Sequence, residues 1–333
     1  MDKQANNIYP FCTIGIDLGA TKIASGLLCY ETKGKAPEIV NEERVLTQVA
    51  KGRDVILSNI FKSIQLNIDF HDNSQYSDIP IVGVGIGTAG HINKTTGCVD
   101  ACTNNLVGWA GTPLIGSITE KFGFDAYAIG DVQAHGYGES KWGVGKDAGS
   151  MLMVAAGTGV GGGLFIDGVL FSGWHGYTGE IGHTFCPGAE GKHCSCGKSG
   201  HLESVASGWG MENCYLEASG EKITGPEISK RAKKGEKLAT EIVQQAGRSL
   251  GVCLSNMVSF LDVECVCLSG SVPKSGDIWR QAFDDAYGCC SNSGISLPSI
   301  SVPELGDKAP IIGASEALID NKYFPMLKEK GLI

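Results

Sequence analysis

FCTIGIDLGATKIASGLLCY, residues 11–30, decides the fold. An apolar run from Phe11 to Leu18 ends in Asp17-Leu-Gly-Ala-Thr-Lys22, and a second apolar run, Ile23 to Tyr30, follows at once. That pattern reads as strand, glycine turn, strand. In the turn, Gly19 and Ala20 let backbone N–H groups approach a ligand closely, Thr21 adds a hydroxyl, and Asp17 adds a charge able to hold a hydrated Mg²⁺. A plain hairpin turn would have the same composition. The pattern returns in Ser150 to Ala156, Gly157-Thr-Gly-Val-Gly-Gly-Gly163 and Leu164 to Asp167. Two such hairpins, each opening one half of the chain, point to a duplicated α/β domain facing one cleft, with a phosphate-binding turn from each side. Neither turn has the order of a Walker loop, and no G-x-G-x-x-G is followed by the spaced acid of a dinucleotide site.

Between and beyond the hairpins the periodicity alternates. A third strand is expected near Ile39 to Thr47, and Ile56, Ile60 and Ile64 recur every four residues on an amphipathic helix. Ile79 to Gly87 reads as a strand running into Thr88-Ala-Gly, followed by a polar loop with Asn104, Asn105 and Trp109, whose amides could read hydroxyls or cap turns. Phe124 to Gly130 is a strand ending at Asp131, and Val132 to Trp142 is helical. A carboxylate there suits a general base and equally an ordinary N-cap. Thr224-Gly-Pro226 starts a helix. Leu238, Ile242, Ala246, Leu250, Cys253, Met257 and Phe260 then mark one long buried helix, Val263 to Leu268 a strand, and Asp277 to Tyr287 a helix. Gly313-Ala-Ser315 opens a last helix, where small residues would admit a flat nucleobase or merely allow close packing. The domain boundary is expected near Phe122 to Asp131. That gives a small domain over residues 1–125, to which a helix at about 310–333 returns, and a larger one over residues 126–309.

The stretch Thr178 to Ser204, TGEIGHTFCPGAEGKHCSCGKSGHLES, carries the densest chemistry. His183, Cys194, Cys196 and His201 can close a tetrahedral nitrogen and sulfur shell of the kind zinc prefers, with His193 as a substitute. The spacing is not a common zinc-finger spacing, and chance pairing in a chain with thirteen cysteines accounts for it equally well. If the metal folds the loop, Glu180 and Glu203 are held near each other as acceptors for the hydroxyls of a sugar.

Composition narrows the function classes. At 333 residues with 42% hydrophobic and 19% charged residues, the chain has the balance of a soluble globular protein with room for two cores. A net charge of −9 without a dense basic run disfavours nucleic acid as a partner. No window reaches the ~18 apolar residues of a membrane helix, and an odd number of unframed cysteines fits reduced thiols, so a cytoplasmic location is expected.

Taken in order, IGIDLGATK, GVGIGTAG, NNLVGW, the helix start at Asp131, GTGVGGG, TGEIGH and CSCGKSGHLE resemble the ROK sugar kinases, within the actin-like (ribonuclease H-like) ATPase fold, from Phe11 to about Leu318. The resemblance implies two α/β ATPase domains with a cleft between them. It also implies transfer of the γ-phosphate of ATP to a sugar hydroxyl, usually O6, with Mg²⁺ and a structural zinc. Asp131 matches the catalytic base. Asp17, Gly19, Ala20, Thr21 and Lys22, with Gly157, Thr158, Gly159 and Gly161, match the phosphate turns, and Gly270 and Gly313 lie where the family encloses adenosine. Thr88, Asn105, Glu180, His183 and Glu203 join Asp131 as sugar-contacting positions, and His183 also matches the zinc ligand. A homodimer is what the resemblance suggests.

Two positions depart from the family pattern: His201 replaces a third cysteine, and Gly130 replaces an asparagine before the catalytic aspartate. The second leaves the sugar open among glucose, an N-acetylhexosamine such as N-acetylmannosamine or N-acetylglucosamine, mannose, fructose and allose. Sugar-responsive repressors among the relatives carry a helix-turn-helix domain ahead of the first glycine turn, where about ten residues precede the strand here. A non-catalytic sugar-binding regulator would be expected to have lost the base or a phosphate turn, and a zinc hydrolase needs an open metal position.

Overall fold

The two apolar runs of the opening stretch become β1 (Phe11–Leu18) and β2 (Lys22–Tyr30), paired antiparallel with Asp17 opposite Ala24. The computed structural model describes residues 8–102, 106–289 and 296–332. β3 (Glu38–Leu46) joins β2 antiparallel, and after α1 (Arg53–Asp72) the chain returns as β4 (Ile81–Thr88), parallel to β1. Ile56, Ile60 and Ile64 are fully buried, as their four-residue spacing requires of the inner face of α1. A short ribbon of β5 (His91–Ile92) and β6 (Val99–Ala101), then α2 (Leu114–Phe122), precede β7 (Ala126–Gly130), which pairs parallel to β4. The sheet order is β3-β2-β1-β4-β7. In this register Leu18, Thr88 and Gly130 align at the carboxyl ends of three parallel strands, and Asp131 opens α3 (Asp131–Trp142) just beyond them.

The second hairpin forms β8 (Ser150–Ala156) and β9 (Val160–Ile166), whose far end, Phe165 and Ile166, pairs with β10 (Val169–Leu170). After the cysteine-rich loop come α4 (Glu203–Ala206), α5 (Gly208–Ser219), α6 (Gly225–Lys233), capped by the Thr224 hydroxyl, and the 25-residue α7 (Lys237–Leu261). β11 (Cys265–Ser269) lies parallel to β8, followed by α8 (Asp277–Cys289) and β12 (Ile300–Ser301) beside β11. Val243, Ala246, Leu250, Cys253 and Val258 of α7 are buried in one cluster with Trp279 and Phe283 of α8. Phe260, expected on the same stripe, is 88% exposed. The 3.6-residue turn has carried it off the buried face by the end of the helix, where Val258 takes the inward place.

Contacts divide the described chain into two units, one from the segments Met1–Asp147, Phe165–Tyr177 and Glu304–Ile333, the other from Ala148–Leu164 and Thr178–Pro303. The first unit therefore extends past the expected boundary at 125/126. β7 cannot leave it because it is hydrogen-bonded to β4, and α3 packs along α9 (Ala309–Leu318). α9 and α10 (Phe324–Glu329) belong to this first unit as well. Among the described residues no helix is long and apolar enough to cross a membrane.

α9 brings a buried carboxylate to the end of α3. Glu316, 5% exposed, accepts hydrogen bonds from Tyr30 Oη at 3.1 Å and Trp142 Nε1 at 2.7 Å. Asp320 beside it accepts from Tyr137 Oη at 2.7 Å and pairs with Lys141 Nζ at 2.9 Å. Burial raises the Glu316 pKa from 4.5 to about 7, against the opposing pull of Trp142 and Lys141. A carboxyl raised on folding favours the folded state fully below its unfolded pKa, and that contribution is lost as pH rises through the folded value. Glu316 should therefore stabilise this unit at pH 4.5 and below and lose up to about 3 kcal/mol by pH 7.5. Urea unfolding of the wild type and Glu316→Gln at pH 5 and pH 7.5 checks this: the stability difference should shift in favour of the glutamine variant as pH rises. A difference that does not change with pH would refute the raised pKa.

Candidate active site and metal centre

The carboxyl ends of β1, β4 and β7 gather the acidic groups of the first unit. Asp17 stands in register with Gly87, and a Cβ on Gly87 would lie 2.7 Å from Ala134 Cβ and 3.8 Å from Asp131 Cα, so this glycine lets α3 start close above the sheet. Asp131 is the first residue of α3, and its Oδ1 accepts the Val132 N–H at 2.8 Å. Its side chain is accessible to solvent but crowded by protein, and that crowding pushes its pKa above the ordinary carboxylate value while the backbone N–H groups oppose the shift. Asp17 is raised from 3.8 to about 6, first by burial and then by the negative charge of Asp131, with Lys22 opposing. The Asp131 charge acting on Asp17 puts the two carboxyl groups within electrostatic reach.

The β1–β2 turn is held from behind. Thr47 Oγ1 donates to Gly19 O at 2.7 Å, Thr47 N–H donates to Thr21 O at 3.1 Å, and Gly19 N–H closes onto Lys22 O at 3.0 Å. Ala20, Thr21 and Lys22 are exposed, and Lys22 Nζ lies 3.7 Å from Asp307. Thr88 is fully buried, and its hydroxyl accepts from Trp109 Nε1 at 3.0 Å and donates to Ala89 O at 3.1 Å, so it holds the indole at the end of β4. Asn105 lies outside the described residues. Gly313 sits in the middle of α9, where a side chain would overlap Ala134 O, and a side chain on Gly270 would overlap Ala156 O. Close backbone packing accounts for both glycines.

Two residues of α3 were not singled out from the sequence. His135 lies one helical turn after Asp131, and its Nε2 is buried without a hydrogen-bond partner among the described residues. Glu139, one turn further, is fully buried and accepts the N–H groups of Val144, Glu304 and Leu305 at 3.2, 3.1 and 2.8 Å, which ties the end of α3 to the approach to α9. The four-residue spacing of Asp131, His135 and Glu139 was the available signal.

In the second unit the loop after Tyr177 folds into a small hairpin. Phe185 pairs with His201 and His193 with Ser199, and Cys194 N–H bonds to Lys198 O at 2.8 Å. This brings one donor atom each from His183, Cys194, Cys196 and His201 within 4.8 Å of one another. Cys194 Sγ lies 3.5 Å from His183 Nδ1, and Cys196 Sγ lies 3.2 Å from His201 Nδ1. Metal–ligand bonds of ~2.0–2.3 Å in a tetrahedron put ligand atoms about 3.3–3.8 Å apart, so the donor set fits zinc. His183 Nε2 faces Glu180 Oε2 at 3.7 Å, the carboxylate–histidine arrangement that orients a ligating imidazole. His193 turns instead to Ser199 Oγ, 3.3 Å from its Nδ1.

The second glycine turn abuts this hairpin. Gly157 N–H bonds to Gly159 O at 2.9 Å, Gly208 and Trp209 donate to Gly157 O and Thr158 O at 2.8 and 3.2 Å, and Val160 N–H donates to Glu203 Oε2 at 3.0 Å. Thr158 is exposed at the tip.

Comparison with known proteins agrees with these features. A family model described as the ROK family matches residues 13–321. A glucokinase of Halalkalibacterium halodurans is 28% identical over 320 residues, 90% of this chain and 92% of the relative. An N-acetylmannosamine kinase of Haemophilus influenzae is 26% identical over 311 residues, 91% and 93% of the two chains. The crystal structure of the ROK hexokinase from Thermus thermophilus superposes with a TM-score of 0.80 at 26% identity, covering 96% of this chain and 100% of that one. The mixed α/β architecture is thus that of the actin-like ATPases. With the family model spanning nearly the whole of both units, this chain belongs to the ROK family.

Proposed function

We propose that this chain is a glucokinase-like sugar kinase, transferring the γ-phosphoryl group of ATP to a hexose hydroxyl, O6 of glucose or a related sugar. The observation that carries this reading is Asp131, an accessible carboxylate at the carboxyl end of β7, raised above its usual pKa and set beside Asp17. The sugar kinases of Halalkalibacterium halodurans and Haemophilus influenzae, alike along nine-tenths of this chain, support it.

Phosphoryl transfer asks little covalent chemistry of a protein, so positioning and electrostatics carry it. In this reading Asp131 accepts the hydrogen bond of the attacking hydroxyl and takes its proton as the oxygen–phosphorus bond forms. On the same reading the backbone N–H groups of Ala20, Thr21, Thr158 and Gly159 face the phosphates, those of Gly19, Gly157 and Val160 being hydrogen-bonded within the turns or to Glu203, and Lys22 adds positive charge. Asp17 is the carboxylate for Mg²⁺, which when bound neutralises phosphate charge. Glu180 and Glu203 accept hydrogen bonds from hydroxyls of the sugar, His183 with Nδ1 on the metal donates from Nε2, and we also assign a sugar contact to Asn105. His183, Cys194, Cys196 and His201 hold a zinc whose part is structural: four protein donors leave no open position. The H. influenzae relative favours an N-acetylhexosamine as the second choice of substrate. We further read the protein as a cytoplasmic homodimer without nucleic-acid or membrane partners, in keeping with its net charge of −9.

ADP release with MgATP over a panel of hexoses and N-acetylhexosamines tests the assignment. At least one sugar should stimulate turnover, and Asp131→Ala should lower kcat by about 10²–10⁴ with little change in fold. Absence of stimulation by any sugar would move a sugar-binding regulator ahead. A second measurement concerns the metal. The purified protein should carry one zinc per chain by elemental analysis, and Cys194→Ser combined with His201→Asn should abolish it. A full zinc content in that double variant would refute the ligand set.

A further inference from the structure

Glu203 stands two residues after the donor His201, at the start of α4, and is 7% exposed. Its two oxygens reach different structures. Oε2 accepts the Val160 N–H of the second glycine turn at 3.0 Å, and Oε1 accepts the hydroxyl of Ser195, the residue between the donors Cys194 and Cys196. A Cβ on Gly159 would lie 2.6 Å from Oε2, so the glycine is what lets the carboxylate reach the turn. On the other flank of the loop, Gly182 precedes the donor His183, and any side chain there would overlap Val160 O. The residues on both ends of the four-donor loop thus meet the same residue of the turn, Glu203 by bonding the Val160 N–H and Gly182 by close approach to the Val160 carbonyl, and Gly208 and Trp209 fix the carbonyls of Gly157 and Thr158 from α5. Cys194 Sγ lies 3.7 Å from the same Oε1, and with about four acceptor positions on a carboxylate these three contacts leave Glu203 one for a sugar hydroxyl.

We propose that Glu203 is a positioning residue that couples the metal-binding hairpin to the Gly157–Val160 turn, so that zinc and the nucleotide each tighten binding of the other. The inference rests on the reading of that turn as a phosphate turn. Zinc cross-links His183 and His201 and fixes the Cys194–Cys196 tip, which holds Ser195 against Glu203 and Glu203 against Val160. Without the metal the hairpin keeps its backbone hydrogen bonds, the Lys192–Glu217 pair and the Ser199–His193 contact, none of which engages Ser195 itself at the Cys194–Cys196 tip. Coupling between two binding sites is reciprocal, so the factor by which zinc strengthens nucleotide binding equals the factor by which nucleotide strengthens zinc binding.

The experiment uses the full chain, zinc-loaded and stripped with a chelator. MgADP affinity is measured by calorimetry, zinc release to a colorimetric chelator is followed with and without MgADP, and hydrogen exchange is read over residues 157–163. In the wild type, stripping should weaken MgADP about fivefold or more, and MgADP should strengthen zinc retention by a similar factor. Exchange in the turn should speed up on stripping. Glu203→Ala and Ser195→Ala should each retain one zinc yet reduce the coupling to less than about twofold, whereas Glu203→Gln, which keeps an acceptor for Val160 and a donor for Ser195, should retain much of it. The two alanine variants break the link from opposite ends, so misfolding of one leaves the other decisive. Equal MgADP affinity and equal exchange with and without zinc in the wild type would overturn the link, as would undiminished coupling in Ser195→Ala. If MgADP does not bind at all but exchange still responds to zinc through Glu203, the mechanical link stands and the nucleotide reading falls.

Discussion

Helix α9 lies against β1, β4 and α3 at backbone contact distance. A side chain on Gly15 would overlap Ile311 O, one on Gly85 would overlap Ala314 O, and one on Gly138 would overlap Ala309 O. From the helix side, a side chain on Gly313 would overlap Ala134 O. Four glycines from four elements therefore allow one helix, nearly 300 residues away in sequence from β1, to close the first unit. Close packing of this kind leaves no room for relaxation, because interiors are already as dense as organic crystals. The position of α3, and with it the placement of Asp131 above the sheet, follows from that contact. Glu139 and Glu316 reinforce it with hydrogen bonds from the residues before α9 and from Tyr30 and Trp142.

The second unit solves a different problem. Its glycine turn meets, on one side, the hairpin that gathers two thiols and two imidazoles, and the start of α5 binds its carbonyls from the other. Metal coordination is an efficient fastener for such a loop, since the ligands give folding energy without a hydrophobic core. Each unit thus presents a glycine turn with a carboxylate beside it, Asp17 at the end of β1 and Glu203 at the start of α4.

Chemistry tied to local spacing was legible. Asp17 and Asp131 could be singled out because each ends an apolar run. The four donors could be named because thiols and imidazoles within nineteen residues can reach one centre whatever the rest of the chain does. At Thr88, Gly270 and Gly313 a ligand contact and close packing have the same local signature, and the structure shows the packing. A threonine beside a glycine-rich strand end has the same sequence signature whether its hydroxyl meets a sugar or an indole, and only Trp109 decides it. Conversely, Ser195 carried no signal, and Glu139 only its four-residue spacing from His135. Their importance lies in the Val160 and Leu305 amides they serve, Ser195 through Glu203, and those amides come from distant segments.

By itself the sequence determined the strand–turn–strand hairpins, the helical periods of α1 and most of α7, the reactive groups at strand ends and the four thiol and imidazole donors that the structure gathers. All of these depend on residues a few positions apart, where the geometry of strand and helix dictates who faces whom. Only the tertiary structure decided that α3 belongs with the first sheet, that Phe260 leaves the buried stripe, which glycines admit a neighbouring backbone, and which carboxylates lose water and rise in pKa. Those properties depend on segments brought together across the whole chain, and burial of a charge is set by everything around it, which no local pattern records.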